Sequence, residues 1–301
     1  MIHTTFAFQH TPESIAPPTG VASPKTMSIA FTPTRSSAVI HSRVATYRES
    51  PFQATVLTPG ALRTVFQPIV RFGPNGWMVQ ALECLTRGPK GTVFEDAMTL
   101  FSSARKFGLS AELDHACVTT ALETVVATDI RYPLYINVDA ETLITDGDFP
   151  TFLAAMAAGC EVPWNQITLE ITEHARGLDI SRLAGSVRTL HQMGMRVAFD
   201  DFGASAIDEA ALDACHPDIV KIEGPLLNAA RNSSTARALL ARVVTLAGRG
   251  GATIVAEGLE RPSDLIVAAQ LGIELLQGNL LCPPLDADIA RCADDRIEFR
   301  S

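Results

Sequence analysis

What this sequence lacks narrows it first. Its six cysteines (Cys84, Cys117, Cys160, Cys215, Cys282 and Cys292) contain no C-x-x-C pair. Neither a disulfide framework nor a cysteine zinc site is expected, and the thiols read as reduced, in a cytoplasmic protein. No uninterrupted apolar run approaches the roughly 20 residues that span a bilayer, so membrane insertion is not expected. No basic region followed by an apolar core opens the chain, so no signal peptide is expected. Positive charge is scarce: 24 Lys and Arg stand against 33 Asp and Glu, a net charge of -9 with a pI near 5.3. That balance argues against general affinity for nucleic acid or an anionic membrane. An anionic ligand would need local cations or a metal. No G-x-G-x-x-G follows the first predicted strand, which removes the main signal of a dinucleotide-binding open sheet.

What is there begins at about residue 57. Residues 1–55 are rich in Thr, Ser and Pro (Pro12, Pro17, Pro18, Pro24, Pro33) without sustained periodicity. They read as a largely disordered or irregular segment or linker, a short strand over 37–44 being left open. The whole chain is 301 residues long and 47% hydrophobic, enough for one large core. Residues 65–70 read as a strand, Pro74-Asn75-Gly76 as a turn and 77–85 as the returning strand, so a hairpin is predicted. Helical spacing follows over 94–107 and 111–127. Strands at 134–138, 167–171, 197–200, 219–222, 253–256 and 275–276 then alternate with helices at 149–158, 180–193, 209–214, 225–247 and 263–271. Alternation of this kind predicts βαβ units. Eight strands over about 235 residues have the size of a (β/α)8 barrel, here spanning 56–290 with a tail at 291–301.

The organising stretch is Val197-Ala198-Phe199-Asp200-Asp201-Phe202-Gly203, an apolar strand ending in two adjacent carboxylates. Alone, this could be a helix cap. Other strand ends repeat it, however: Glu83 and Arg87, Asn137, Glu170 and Glu173, Lys221, Glu257 and Glu260, then Gln277. Single members have duller readings, such as a snorkelling or charge-neutralising lysine for Lys221, a turn for Asn137 and a surface helix for Glu260. Together, seven carboxylates, the Asn137 amide and one lysine would converge on the barrel mouth. All-oxygen donors suit Mg²⁺ or Mn²⁺. Their number exceeds the need of one ion, so two metals sharing Asp200 are expected, about 3.5–4 Å apart as in hydrolysis of phosphoryl esters.

At these residues the chain resembles the EAL-domain family, phosphodiesterases that hydrolyse cyclic di-GMP to the linear dinucleotide pGpG. The resemblance spans about 57–286. It rests on Gln67-Pro68-Ile69-Val70, Glu83-Cys84-Leu85-Thr86-Arg87, Asn137, Glu170-Ile171-Thr172-Glu173, Asp200-Asp201-Phe202-Gly203, Lys221-Ile222-Glu223, Glu257-Gly258-Leu259-Glu260 and Gln277-Gly278. It implies a modified TIM barrel with an antiparallel first strand. It also implies that Glu83, Asn137, Glu170 and Asp200 hold one metal, and that Asp200, Asp201 and Glu257 serve a second. Lys221 would hold the attacking water, Glu257 would act as general base, and Glu260 and Gln277 would support them. Gln67, Leu85 and Arg87 would contact substrate, and Glu173 would anchor the loop after the fifth strand.

Three departures from the family pattern stand out. Glu83-Cys84-Leu85 replaces Glu-Ala-Leu, and Lys221-Ile222-Glu223 replaces Lys-Ile-Asp. After Gly203 the run is Ala204-Ser205-Ala206-Ile207-Asp208 where the family has Thr-Gly-Tyr-Ser-Ser or Ala-Gly-Tyr-Ser-Ser. The lost glycine narrows the backbone angles available to that loop. The alternative to an enzyme is therefore a receptor for cyclic di-GMP or a protein-interaction module. A homodimer or a regulatory protein partner stays open. No Gly-Gly-Asp-Glu-Phe signature of the cyclase is present.

Overall fold

The computed structural model describes residues 50–73, 76–172, 179–202 and 209–291, all inside one compact unit that runs Arg48–Ser301. Strands β1 (Arg63–Gly73) and β2 (Gly76–Arg87) form an antiparallel hairpin. From β2 onward each strand pairs in parallel with the next: β3 (Leu134–Asp139), β4 (Ile167–Thr172), β5 (Arg196–Phe202), β6 (Ile219–Ile222), β7 (Thr253–Ala256) and β8 (Leu275–Leu276). β8 then pairs antiparallel with β1, which closes the barrel. The first strand is thus antiparallel to both neighbours, as expected for the modified barrel. A two-residue strand, β9 (Leu285–Asp286), pairs antiparallel with Val65 and Phe66 of β1, on the edge that β8 uses further along.

Strand sequences here are nearly all apolar because both faces are covered; every residue of β6 is buried. Successive side chains on a strand point to opposite faces. Inside the barrel, Ile69, Ala81, Tyr135, Ala198, Ile219, Val255 and Leu275 form one apolar layer. Thr168, paired with Tyr135, completes it from β4. Two residues further toward the mouth, the same face carries Gln67, Glu83, Asn137, Glu170, Asp200, Lys221, Glu257 and Gln277. The two-residue period therefore stacks an eight-membered polar layer on an apolar floor.

The helices pack around this barrel: α1 (Pro51–Val56), α2 (Ala97–Phe107), α3 (Ser110–Thr128), α4 (Ala140–Thr145), α5 (Phe149–Gly159), α6 (Ile180–Gln192), α7 (Glu209–Cys215), α8 (Gly224–Ala230), α9 (Ser234–Arg249), α10 (Pro262–Gln270) and α11 (Ala287–Arg291). Sequence spacing misses α1, α4, β9 and α11, all six residues or shorter and too short for a period to declare itself. α1 opens inside the stretch read as irregular, yet buries Phe52 and Val56 against α2 and α3. The single helix expected over 225–247 is two. The Ser233 hydroxyl accepts from the Ala236 amide and starts α9, while the Arg237 guanidinium donates twice to the Ala230 carbonyl and closes α8. The option of a strand at 37–44 falls outside the described residues.

One acid interrupts the buried stripe of α3. Asp114 accepts from the Asp139 amide and from the Thr142 hydroxyl at 2.6 Å, tying the end of β3 to α4. Burial raises its carboxyl to about 7, although both hydrogen bonds oppose the rise. The folded state therefore holds this proton more tightly than the unfolded chain, whose carboxyl titrates near 3.9. Stability from this group is fully present below about pH 4 and is lost as pH climbs toward about 7. Asp114→Asn keeps an acceptor and removes the charge. Melting temperatures across pH 4–8 should fall less steeply with rising pH in the variant than in the parent; parallel slopes would refute the assignment.

Candidate metal and substrate site

The centre of the polar layer is the ammonium of Lys221, fully buried on β6. It stands 2.7 Å from Glu170 Oε1, 3.0 Å from Glu257 Oε1, 3.2 Å from Glu83 Oε2 and 3.3 Å from Asp200 Oδ1. β2, β4, β5 and β7 each contribute one of these acids. Glu83 is the most heavily held. Its Oε1 accepts from Asn137 Nδ2 at 3.0 Å, and its Oε2 accepts from Gln277 Nε2 at 2.7 Å as well as from Lys221. Gln277 reaches on to Gln67 Oε1, and Gln67 donates to the Cys282 carbonyl. All eight strands of the barrel, or the residue directly after them, are thereby linked through one network of hydrogen bonds and ion pairs.

Four acids against one ammonium leave an uneven balance. Burial would lower Lys221, but Asp200, Glu170, Glu257 and Glu83 together hold it well above its usual value, so it stays charged. Burial, reinforced by Glu83, pushes Glu170 well up. Burial also pushes Glu257 well up, with Asp200 and Glu83 adding to it against the pull of Lys221. Burial works against Asp200 too, but Lys221 and hydrogen bonds from Glu257 and the Asp201 amide hold it below the usual carboxylate range. Of that coupled pair, Glu257 takes the proton and Asp200 keeps the charge.

Two consecutive residues on a strand face opposite sides, yet Asp200 and Asp201 both reach this centre. A bulge makes that geometry. Between Phe199 and Phe202 the pairing with β6 slips by one residue, and Asp201 adopts a left-handed φ of 53°, which a short acid tolerates better than most side chains. Ligand atoms of Asp200, Asp201 and Glu257 consequently lie within 4.8 Å of one another, close enough to share a cation.

This donor set fits a hard divalent metal. Glu170 Oε2 is buried and has no hydrogen-bond partner, and Asp200 Oδ1 and Glu257 Oε1 share the one Lys221 ammonium, 3.3 and 3.0 Å away. Buried carboxylate oxygens left so are costly, and a cation is the group that would satisfy them. The remaining expected residues fall around this centre. Leu85 and Arg87 line a cleft of about 410 Å³ that also reaches Glu83, Asn137 and Asp200. Arg87 donates to the Thr86 carbonyl at 3.0 Å. Glu260 is exposed, and only its backbone amide has a recorded bond, to Asp264. Glu173, Gly203 and the altered run 204–208 lie outside the described residues. Cys84 is buried, and burial followed by Glu83 and Glu170 holds its thiol protonated, so it acts as a small packing residue. Burial and the nearby Asp201 charge raise Glu223.

Sequence reasoning missed Asp264. Wholly buried at the start of α10, it accepts from the Glu260 and Arg261 amides and pairs with Arg231 Nη1 at 2.8 Å. It pins the loop that carries Glu257. The same loop is wedged between glycines: a Cβ on Gly278 would lie 2.2 Å from the Leu259 nitrogen, and one on Gly224 would lie 3.0 Å from the Gly258 Cα. An acid three residues past the N-cap is a visible signal, but nothing in the sequence points to Arg231 as its partner.

Comparison with known proteins bears on the family and the fold. A family model for the EAL domain matches residues 52–284. Cyclic di-GMP phosphodiesterase PdeF of Escherichia coli is 25% identical over 60% of this chain and 24% of its own length. The probable cyclic di-GMP phosphodiesterase PdeN of the same organism is 27% identical over 74% of this chain and 43% of its own. The chain thus spans less than half of either relative. BlrP1 of Klebsiella pneumoniae, solved as a manganese/cy-diGMP complex, superposes with a TM-score of 0.67 at 25% identity, covering 76% of this chain and 57% of that one.

Two outcomes should follow from this arrangement. Mg²⁺ or Mn²⁺ added to metal-stripped protein should raise the melting temperature, by the equivalent of about 2.7 kcal/mol at a hundredfold excess over Kd. Asp200→Asn should shrink that rise; equal rises in both proteins would exclude Asp200 as a ligand. Asp264→Ala leaves Arg231 without its partner and should cost about 3–5 kcal/mol in urea unfolding, against a smaller cost for Asp264→Asn.

Proposed function

The chain belongs to the EAL-domain family, and from that premise we propose that it is a cytoplasmic, divalent-metal-dependent phosphodiesterase that opens cyclic di-GMP to the linear dinucleotide pGpG. One observation carries the reading: every described acid and amide that the family pattern assigns to metal or water, save Glu260, lies in the layer centred on Lys221 or, in the case of Asp201, beside it. A receptor that had lost turnover would be expected to have lost some of these carboxylates.

Glu83, Asn137, Glu170 and Asp200 would hold one metal, and Asp200, Asp201 and Glu257 a second. Bound there, such ions would neutralise charge on the phosphodiester and make a water nucleophilic at neutral pH. The side chains supply the rest. Lys221, charged and immobile among its acids, offers hydrogen bonds to the attacking water. Burial keeps Glu257 protonated among the neighbouring acids; a cation bound there would favour its carboxylate, whose Oε1, 3.0 Å from that ammonium, would then be placed to receive the water's proton. Gln277 keeps Glu83 and Gln67 in register. Arg87, in the adjoining cleft, is suited to a phosphate oxygen because a guanidinium fork matches that geometry. The apolar floor below the layer keeps bulk water from the barrel side.

Purified protein incubated with cyclic di-GMP and Mg²⁺ or Mn²⁺ should release pGpG, resolved by chromatography. Chelator should abolish the product, and Glu83→Ala or Glu257→Ala should lower the rate by about 10²–10⁴-fold. Binding without product would replace the enzyme by a receptor. Absence of binding would point to an interaction module.

A further inference from the structure

The cleft beside the metal centre has a second wall that no family motif accounts for. Met98, Phe101 and Arg105 all line it, and on α2 they are spaced i, i+3 and i+7, the spacing of one helix face. Met98 is 81% exposed, a large apolar side chain held in solvent at the edge of a charged site. Phe101 is half-buried, its ring side resting on the cluster that includes Leu100 and Ala104. Arg105 is only loosely committed: its Nη2 lies 3.5 Å from Asp139 Oδ2, longer than the roughly 2.7–2.9 Å of a strong charge-assisted bond. The other oxygen of Asp139 is occupied in capping α4 through the Glu141 amide. The wall itself is firmly held. Asp96 caps α2 at its start, Gly108 closes it in a left-handed turn, and Leu100 and Ala104 bury its far face.

A soft thioether, an aromatic ring and a planar guanidinium in a row form a surface for a nucleobase. The first two accept the flat face of any base. A guanidinium fork chooses among bases. Guanine presents O6 and N7 as adjacent acceptors that the fork can meet together, whereas adenine places an amino donor beside N7. We propose that this face of α2 is the base-reading wall of the site, and that Arg105 leaves Asp139 to bind the O6/N7 edge of a guanine, thereby selecting guanine over adenine. This rests on the functional reading above, because it takes the ligand to be a cyclic dinucleotide whose phosphate sits at the Lys221 layer.

Calorimetry on the full chain in Ca²⁺, titrated with cyclic di-GMP and separately with cyclic di-AMP, tests it; chromatography afterwards verifies that the ligands are intact. The wild type should prefer cyclic di-GMP. Arg105→Ala should weaken cyclic di-GMP by about 10–100-fold and change cyclic di-AMP by no more than about twofold. Arg105→Lys keeps the charge but not the fork, and should lose the preference as well. Met98→Ser should weaken both ligands alike, by about fivefold or more, because stacking is tolerant of base identity. Equal losses for the two ligands in Arg105→Ala would place the guanidinium on a phosphate and overturn the proposal, as would unchanged affinities. Failure of the wild type to bind either ligand would overturn the functional reading and this one with it. That result is distinguishable because it appears without any substitution. Matching melting temperatures confirm that the variants are folded, as expected for half-exposed positions.

Discussion

One buried ammonium makes the centre of this barrel tenable. Two like charges about 4 Å apart repel by about 4 kcal/mol at an effective dielectric near 20, and a whole domain is stable by only about 5–15 kcal/mol. Glu83, Glu170, Asp200 and Glu257 could not share one enclosed layer without compensation. Lys221 touches all four. It does not balance them, and the excess negative charge is expressed as protons held on Glu170 and Glu257. The acids face inward around this single ammonium, and Glu170 Oε2 is left without a hydrogen-bond partner.

That layer was legible in the sequence because it obeys the simplest rule of a strand. Each of its members lies two residues beyond an inward residue of the layer below, Thr168 in the case of Glu170, except Gln67, which lies two before Ile69 because β1 runs the other way. Strand-end chemistry could therefore be read by position alone. Asp201 breaks the rule and still reaches the centre, through a bulge that alternation does not foretell. Glu260 sits in a family motif but not on a strand, and its side chain is exposed.

The features that escaped the sequence share a different property: each depends on a partner far along the chain. Asp114 serves Asp139 and Thr142. Asp264 meets Arg231. Arg105 faces a cleft whose opposite wall is built by β2, β3 and β5. The break between α8 and α9 is local, but it turns on Ser233 preferring to cap rather than to continue a helix, a choice that apolar spacing does not register.

The separation of the polar layer from its apolar floor bears on how such a protein can change over generations. Packing is borne by one set of residues and chemistry by another, set two positions away on the same strands. A substitution in the upper set alters the mouth of the barrel and leaves the apolar layer beneath it in place. Within the upper set the positions are coupled through Lys221 and Glu83, so an edit at one is felt by its neighbours. What the mouth of such a barrel holds can therefore change while the layer beneath it stays the same.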